Sequence, residues 1–291
     1  MRKALIVVIY ILFLTSLTPV AAREAAGSHI NPLAALAISW VFDLTDLEAI
    51  TGGFVTKTPE GICAIEKRFM KDRVELRLQG MAHVAGQDFY RKIKESLKNE
   101  KAIILMEGVT DDNDLLETPP DYGAIADNLG LTSQRDHFSP HEMPETVEVI
   151  RADLDTSDFS PQTVELLNFV GKVYSKKGID FANLMLMYLQ LSDIERSRII
   201  MRDLISRRNQ CLIDHINENL TKTSIVVVPW GAMHLPQIEL WARKEGFELK
   251  KTSSYLVVAF PEYFKFILRP AKKKSIDART QEKSLSELLG I

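Results

Sequence analysis

From Val74 to Gln79 apolar and polar residues alternate, with Val74, Leu76 and Leu78 set against Glu75, Arg77 and Gln79. That period predicts a strand with one buried face. The run Ile62 to Phe69 precedes it across Met70-Lys71-Asp72, which makes the pair a hairpin. Past Gly80-Met81-Ala82-His83 the period changes: Phe89, Ile93 and Leu97 recur every fourth position, as on one face of a helix. Ala102 to Met106 is uninterrupted apolar sequence ending at Glu107, a buried strand, and strand, helix, strand in this spacing is a βαβ unit. The same grammar returns at Ile225 to Val228, which runs into Gly231-Ala232-Met233-His234. Leu235-Pro236 then opens a helix, marked by Ile238, Trp241 and Ala242, that stops at Gly246.

Between the two units the pattern is weaker. Asp111, Asp112, Asp114, Pro119 and Pro120 predict loops with short helices between them. Pro161 to Lys176 and Phe181 to Leu191 carry helical spacing, and Ser192 with Glu195 forms a capping box for a long helix reaching about Leu220. Its apolar stripe runs through Met201, Leu204, Ile205, Leu212, Ile213 and Ile216. Phe247 to Lys251 and Tyr255 to Phe260 read as two strands joined by a polar turn, and Tyr263 to Leu268 as another. The sum is an α/β fold: a central, mostly parallel sheet flanked by helices, with two related strand–Gly-x-x-His–helix halves and a helical insertion. This domain spans 60–270, after an N-terminal segment (23–59) in which Pro32 to Leu44 forms a short packed helix. Residues 271–291, with Lys272, Lys273 and Lys274, form a flexible basic tail.

The first 22 residues stand apart. Arg2 and Lys3 precede an apolar run from Ala4 to Leu17, and Val20-Ala21-Ala22 fits a cleavage site. This is the layout of a signal peptide, giving a secreted or periplasmic protein; left uncleaved it is an N-terminal anchor, the chain's one expected membrane contact. The formal charge of −3 offers no basic excess for nucleic acid. Cys63 and Cys211 are too few for a disulfide framework or a cysteine metal site; they either pair or stand as separate buried thiols.

Chemistry concentrates at the two Gly-x-x-His motifs. With 14 glycines and 6 histidines in 291 residues, one copy arises by chance roughly 0.3 times, so two copies in the same strand-to-helix context carry information. His83, Glu107 and His234 all fall at carboxyl ends of strands, where open α/β sheets bind ligands. Two imidazoles and a carboxylate are a metal set that leaves a position open for water. The alternative is that each His caps a turn by hydrogen bonding. Gly80 and Gly231 allow a tight turn as the chain leaves each strand. Arg208 and Asn209 interrupt the apolar face of the long helix, where an unpaired charge is costly. They either hold a substrate carboxylate or form an ion pair with Asp153 or Asp155. Asp153 and Asp155 otherwise read as turn or capping residues. His137 and His141 are spaced for a metal but sit in loop-like sequence, and Asn219-Leu220-Thr221 is a glycosylation sequon with meaning only on a eukaryotic secretory route.

In that order, Gly80-Met81-Ala82-His83, Phe89-Tyr90, Ile103 to Glu107, Arg208-Asn209, Gly231-Ala232-Met233-His234 and Glu245-Gly246-Phe247 resemble the TraB/PrgY/GumN family, which includes the Tiki proteases. The resemblance covers roughly residues 60–262. It implies a fold like that of erythromycin esterase and the ChaN haem-binding proteins. By the Tiki branch it also implies a metal-dependent peptidase using manganese or cobalt, with zinc as an alternative. His83, Glu107 and His234 would hold the metal, Glu107, Arg208 and Asn209 would act in catalysis, and Tyr90 and Asp153 would support them. The expected substrate is a peptide or small molecule. Two further functions fit the same cleft: a binding protein for haem, metal or a signalling peptide, and an esterase-like hydrolase without metal in which one His is the general base.

Overall fold

The computed structural model describes Ser39 and residues 46–119, 122–174 and 193–261. The expected leader, the helix at Phe181–Leu191, the strand at Tyr263–Leu268 and the basic tail lie outside the described residues, as does all of Pro32–Leu44 but Ser39.

The hairpin forms as its alternation requires: β1 (Val55–Thr58), β2 (Gly61–Lys71) and β3 (Val74–Met81) run antiparallel, with Asp72 at φ 53° in the turn. The chain then makes the short β4 (Val84–Ala85), helix α1 (Gln87–Leu97) and β5 (Ile103–Met106). Phe89, Ile93 and Leu97 are buried as their spacing predicts. Helix α2 (Tyr122–Leu129), the two-residue β6 (Thr132–Ser133), β7 (Glu148–Arg151) and α3 (Pro161–Tyr174) follow. A long helix then comprises α4 (Ile194–Met201), a π-helical segment (Arg202–Arg207) and α5 (Arg208–Asn219). Strand β8 (Ile225–Gly231), α6 (Leu235–Lys244) and β9 (Glu248–Ala259) complete the described fold.

Strands β3, β8, β5 and β7 lie side by side in that order and are parallel; β2 borders β3, and β9 borders β2, both antiparallel. The sheet is therefore mixed, with a parallel centre flanked by helices. Period-two alternation divides its core between two faces. Ile104, Met106 and Val227 point to α1, where Phe89, Tyr90, Ile93 and Leu97 cover them. Ile103, Leu105, Val226, Val228 and Trp230 point the other way, against Leu212, Ile213 and Ile216 of α5 and Ile238 and Ala242 of α6.

Four expectations need correction. The polar stretch at 251–254 is no turn: β9 is one continuous strand, because Lys251, Thr252, Ser253 and Ser254 pair with Arg68, Lys67, Glu66 and Ile65. Strand β7 replaces expected loop; only Val149 and Ile150 mark it, between the exposed Glu148 and Arg151. The long helix is capped by Asp193, whose carboxylate accepts from the Glu195 and Arg196 N–H groups. Finally, the sequon's Asn219 is buried, and its amide donates to the His215 carbonyl at 2.8 Å.

Candidate functional site

Parallel pairing sets the two Gly-x-x-His motifs side by side, offset by one residue: Gly80 faces Trp230 and Met81 faces Gly231. After that the two paths diverge. In the second motif the helix begins at once, and His234 occupies its N-cap position, with its N–H donating to the Gly231 carbonyl at 2.9 Å. His234 is buried. In the first motif the chain makes β4, paired with β6, before α1 starts, and His83 is left exposed. Its ring stacks on Tyr122 with centroids 4.5 Å apart, while the Tyr90 hydroxyl holds the turn by donating to the Ala82 carbonyl at 2.8 Å.

The two glycines serve close approach rather than a tight turn. Both lie within their strands, and neither has a positive φ. A Cβ on Gly80 would stand 2.9 Å from the Phe54 carbonyl oxygen; one on Gly231 would stand 3.3 Å from Glu107 Oε2. Gly231 thus clears the space in which its own N–H donates to Glu107 Oε2 at 2.6 Å.

Arg208 organises everything else. Its Nε and Nη2 bind Asp153 as a fork, at 2.9 and 2.7 Å; Nη2 also donates to Glu107 Oε1 at 2.8 Å. Nη1 meets His234 Nε2 at 3.2 Å and reaches the Leu204 carbonyl at 3.5 Å. All five guanidinium donors have partners. Of the two aspartates, Asp153 is the ion-pair partner and also accepts from the Gly108 and Leu154 N–H groups; Asp155 caps the turn Thr156–Asp158. The π-helical segment precedes Arg208 directly, and the two consecutive residues Arg208 and Asn209 both turn inward. Asn209 Oδ1 lies 2.6 Å from His234 Nδ1, and its amide nitrogen donates to the His234 carbonyl and to Gln237 Oε1.

This arrangement fixes the charges. Burial alone would raise the Glu107 pKa, but the Arg208 guanidinium beside it, helped by His234, His83 and the Gly231 N–H, lowers it to about 2. Burial and Arg208 push His234 down to about 4 despite Glu107. The ring is neutral near pH 7, so the 3.6 Å approach of Nε2 to Glu107 is not an ion pair. Burial, then Glu107, raises Tyr122 to about 12.

Sequence reading brought Glu107, Arg208, Asn209, His234 and Asp153 into view, and the fold joins them in one network. It missed Gln237, whose only signal was its place three residues after His234. Two of the predicted metal ligands, His234 and Glu107, are engaged by protein groups here. Arg208 takes His234 Nε2, Asn209 takes Nδ1, and Glu107 is held by Arg208 and Gly231. Among the described residues no three His, Cys, Asp or Glu side chains group so as to hold a metal ion. His137 lies against Tyr90 instead, and His215 bonds the Cys211 carbonyl. Cys63 and Cys211 are free thiols, the first buried and the second half-buried.

A cleft of about 610 Å³ between Leu115, Phe159, Val164 and Phe169 shares no residue with this network. Its lining is mostly apolar, with Glu165, Asn168 and the paired Glu117 and Lys172 as its polar members. Compared with known proteins, the chain matches no family model, no curated protein and no solved structure.

Proposed function

We propose that the protein is a hydrolase that cleaves an ester or amide bond without a resident metal, with His83 as general base. The observation that carries this reading is the division between the two imidazoles. Arg208 and Asn209 occupy both nitrogens of His234, whereas His83 stands exposed at the same end of the sheet, close enough to Glu107 to bias its ionisation.

In this mechanism His83 takes a proton from water as the hydroxide adds to the acyl carbon. The imidazolium then returns the proton to the departing oxygen or nitrogen as the bond to it breaks. Glu107, held ionised by Arg208 and Gly231, stabilises the positive charge that His83 carries between those steps. Arg208, Asn209, Asp153 and His234 keep that carboxylate in place. The resemblance to a family that includes the Tiki proteases, with a fold like that of erythromycin esterase, and the leader-like first 22 residues support a peptide or small-molecule substrate met outside the cytoplasm.

The test is turnover of a panel of aryl esters and peptides by wild type, His83→Ala and His83→Gln, with and without chelator. Expected is chelator-insensitive turnover that falls about 100-fold or more in both variants. Turnover abolished by chelator and restored by manganese, cobalt or zinc would return the metal-dependent reading. A ligand-dependent rise in melting temperature with no product would make the site around His83 and Glu107 a binding site for haem, metal or peptide.

A further inference from the structure

The buried end of the site is a chain of amide and ring groups whose proton positions are mutually determined. Arg208 Nη1 faces His234 Nε2 at 3.2 Å, and a guanidinium only donates, so Nε2 must present a lone pair. The ring proton therefore sits on Nδ1 and points at Asn209, whose facing atom, 2.6 Å away, must be the carbonyl oxygen. That choice turns the Asn209 NH2 toward the His234 carbonyl at 3.2 Å and Gln237 Oε1 at 2.8 Å, both acceptors. A reversed Asn209 amide would set its oxygen against those two acceptors and its NH2 against Nδ1. The ring proton would then move to Nε2, donor against donor at Arg208. Asn209 is fully buried, so no water stands ready to replace a lost partner.

We infer that Gln237 is a positioning residue: by accepting from Asn209 it fixes the Asn209 amide with its oxygen on His234 Nδ1–H, in the tautomer that Arg208 requires at Nε2. Of the two acceptors for the Asn209 NH2, Gln237 makes the shorter contact and is the one a side-chain substitution removes. It lies on the first turn of α6, on the same helix that His234 caps, so ring and acceptor move as one body. The inference rests on hydrogen-bond geometry and not on the hydrolase reading, and its readout needs no substrate.

The experiment is nitrogen-15 NMR of histidine-labelled protein near pH 7.5, with the His234 signals identified by their loss in His234→Asn. Expected in wild type is one tautomer, protonated at Nδ1 and bare at Nε2. Gln237→Glu retains an acceptor and should keep that pattern. Gln237→Met should keep the tautomer, which Arg208 still requires, but loosen the Asn209 amide and so shift and broaden the Nδ1–H signal. Thermal melting of both variants separates the roles: a side chain that merely packs would lower the melting temperature in Gln237→Met with the Nδ1–H signal unchanged. An Nε2–H tautomer in wild type, or a Gln237→Met spectrum identical to wild type, would overturn the inference.

Discussion

The two Gly-x-x-His motifs share a spacing, a sheet and an end of that sheet, yet one His is sealed inside the protein and the other stands at its surface. The difference arises in the residues just after each motif. Leu235-Pro236 starts a helix immediately and draws His234 beneath it, whereas Val84-Ala85 pairs with Thr132-Ser133 and delays α1. A motif fixes where a side chain leaves the sheet; the next few residues decide whether it becomes part of the core or part of the surface. The glycines differ in the same way, Gly80 making room for backbone and Gly231 for a carboxylate.

The largest effect should come from the sealed side. Arg208→Met strands Glu107 and Asp153 as unpaired buried charges and should cost about 3–5 kcal/mol in denaturant unfolding. A cost under about 1 kcal/mol would mean that the network does not hold this end of the fold together.

Acid should act nearly as strongly. The His234 pKa falls from 6.5 to about 4 on folding, so between those values the unfolded chain binds the extra proton. Stability is therefore full above pH 6.5 and is lost as pH falls toward 4, by up to about 3 kcal/mol. Glu107, lowered from 4.5 to about 2, extends the loss into stronger acid with the same sign. His234→Gln should flatten the slope between pH 6.5 and 4 in pH-dependent unfolding, whatever it does to stability at pH 7.

The glycines sharpen the contrast at a smaller scale. Gly80→Ala forces a methyl group against fixed backbone and should cost about 2 kcal/mol. Gly231→Ala is the looser fit, 3.3 Å from the Glu107 carboxylate, where a shift of a few tenths of an ångström suffices, and should cost about 1 kcal/mol. Reversal of that order in thermal melts would count against the different roles assigned to them. The smallest change in stability, within about 0.5 kcal/mol, is expected for His83→Ala, the variant whose turnover should fall the most.

Much of this was legible in the sequence because burial leaves a signature. The first four residues of β8, all β-branched, the apolar run before Glu107 and the polar pair Arg208-Asn209 within an apolar helix face all announce the interior. Asp153 was harder to assign, since in Ala152-Asp153-Leu154-Asp155 both aspartates suit a turn and only the fold shows which one faces Arg208. The π-helical segment left no mark, because its extra residue per turn alters the register of side chains and not their composition. Asp203 was hidden for a related reason: it looks like a solvent-facing helix residue, yet it is fully buried, accepting from Ser160 and Thr163 at the start of α3.

Trp230 gives the sealed half an optical voice. Its indole donates to the Leu105 carbonyl, lies under the Arg208 guanidinium at 5.3 Å and meets the His234 ring edge-on at 5.1 Å. Buried from water yet touching the groups that change charge, it is an intrinsic fluorophore for the network: its emission should stay blue while the network is intact and be quenched as His234 gains its proton. With Trp40 and Trp241 replaced by Phe, a single-tryptophan protein would show in the ultraviolet when the buried half opens, with no substrate and no added label.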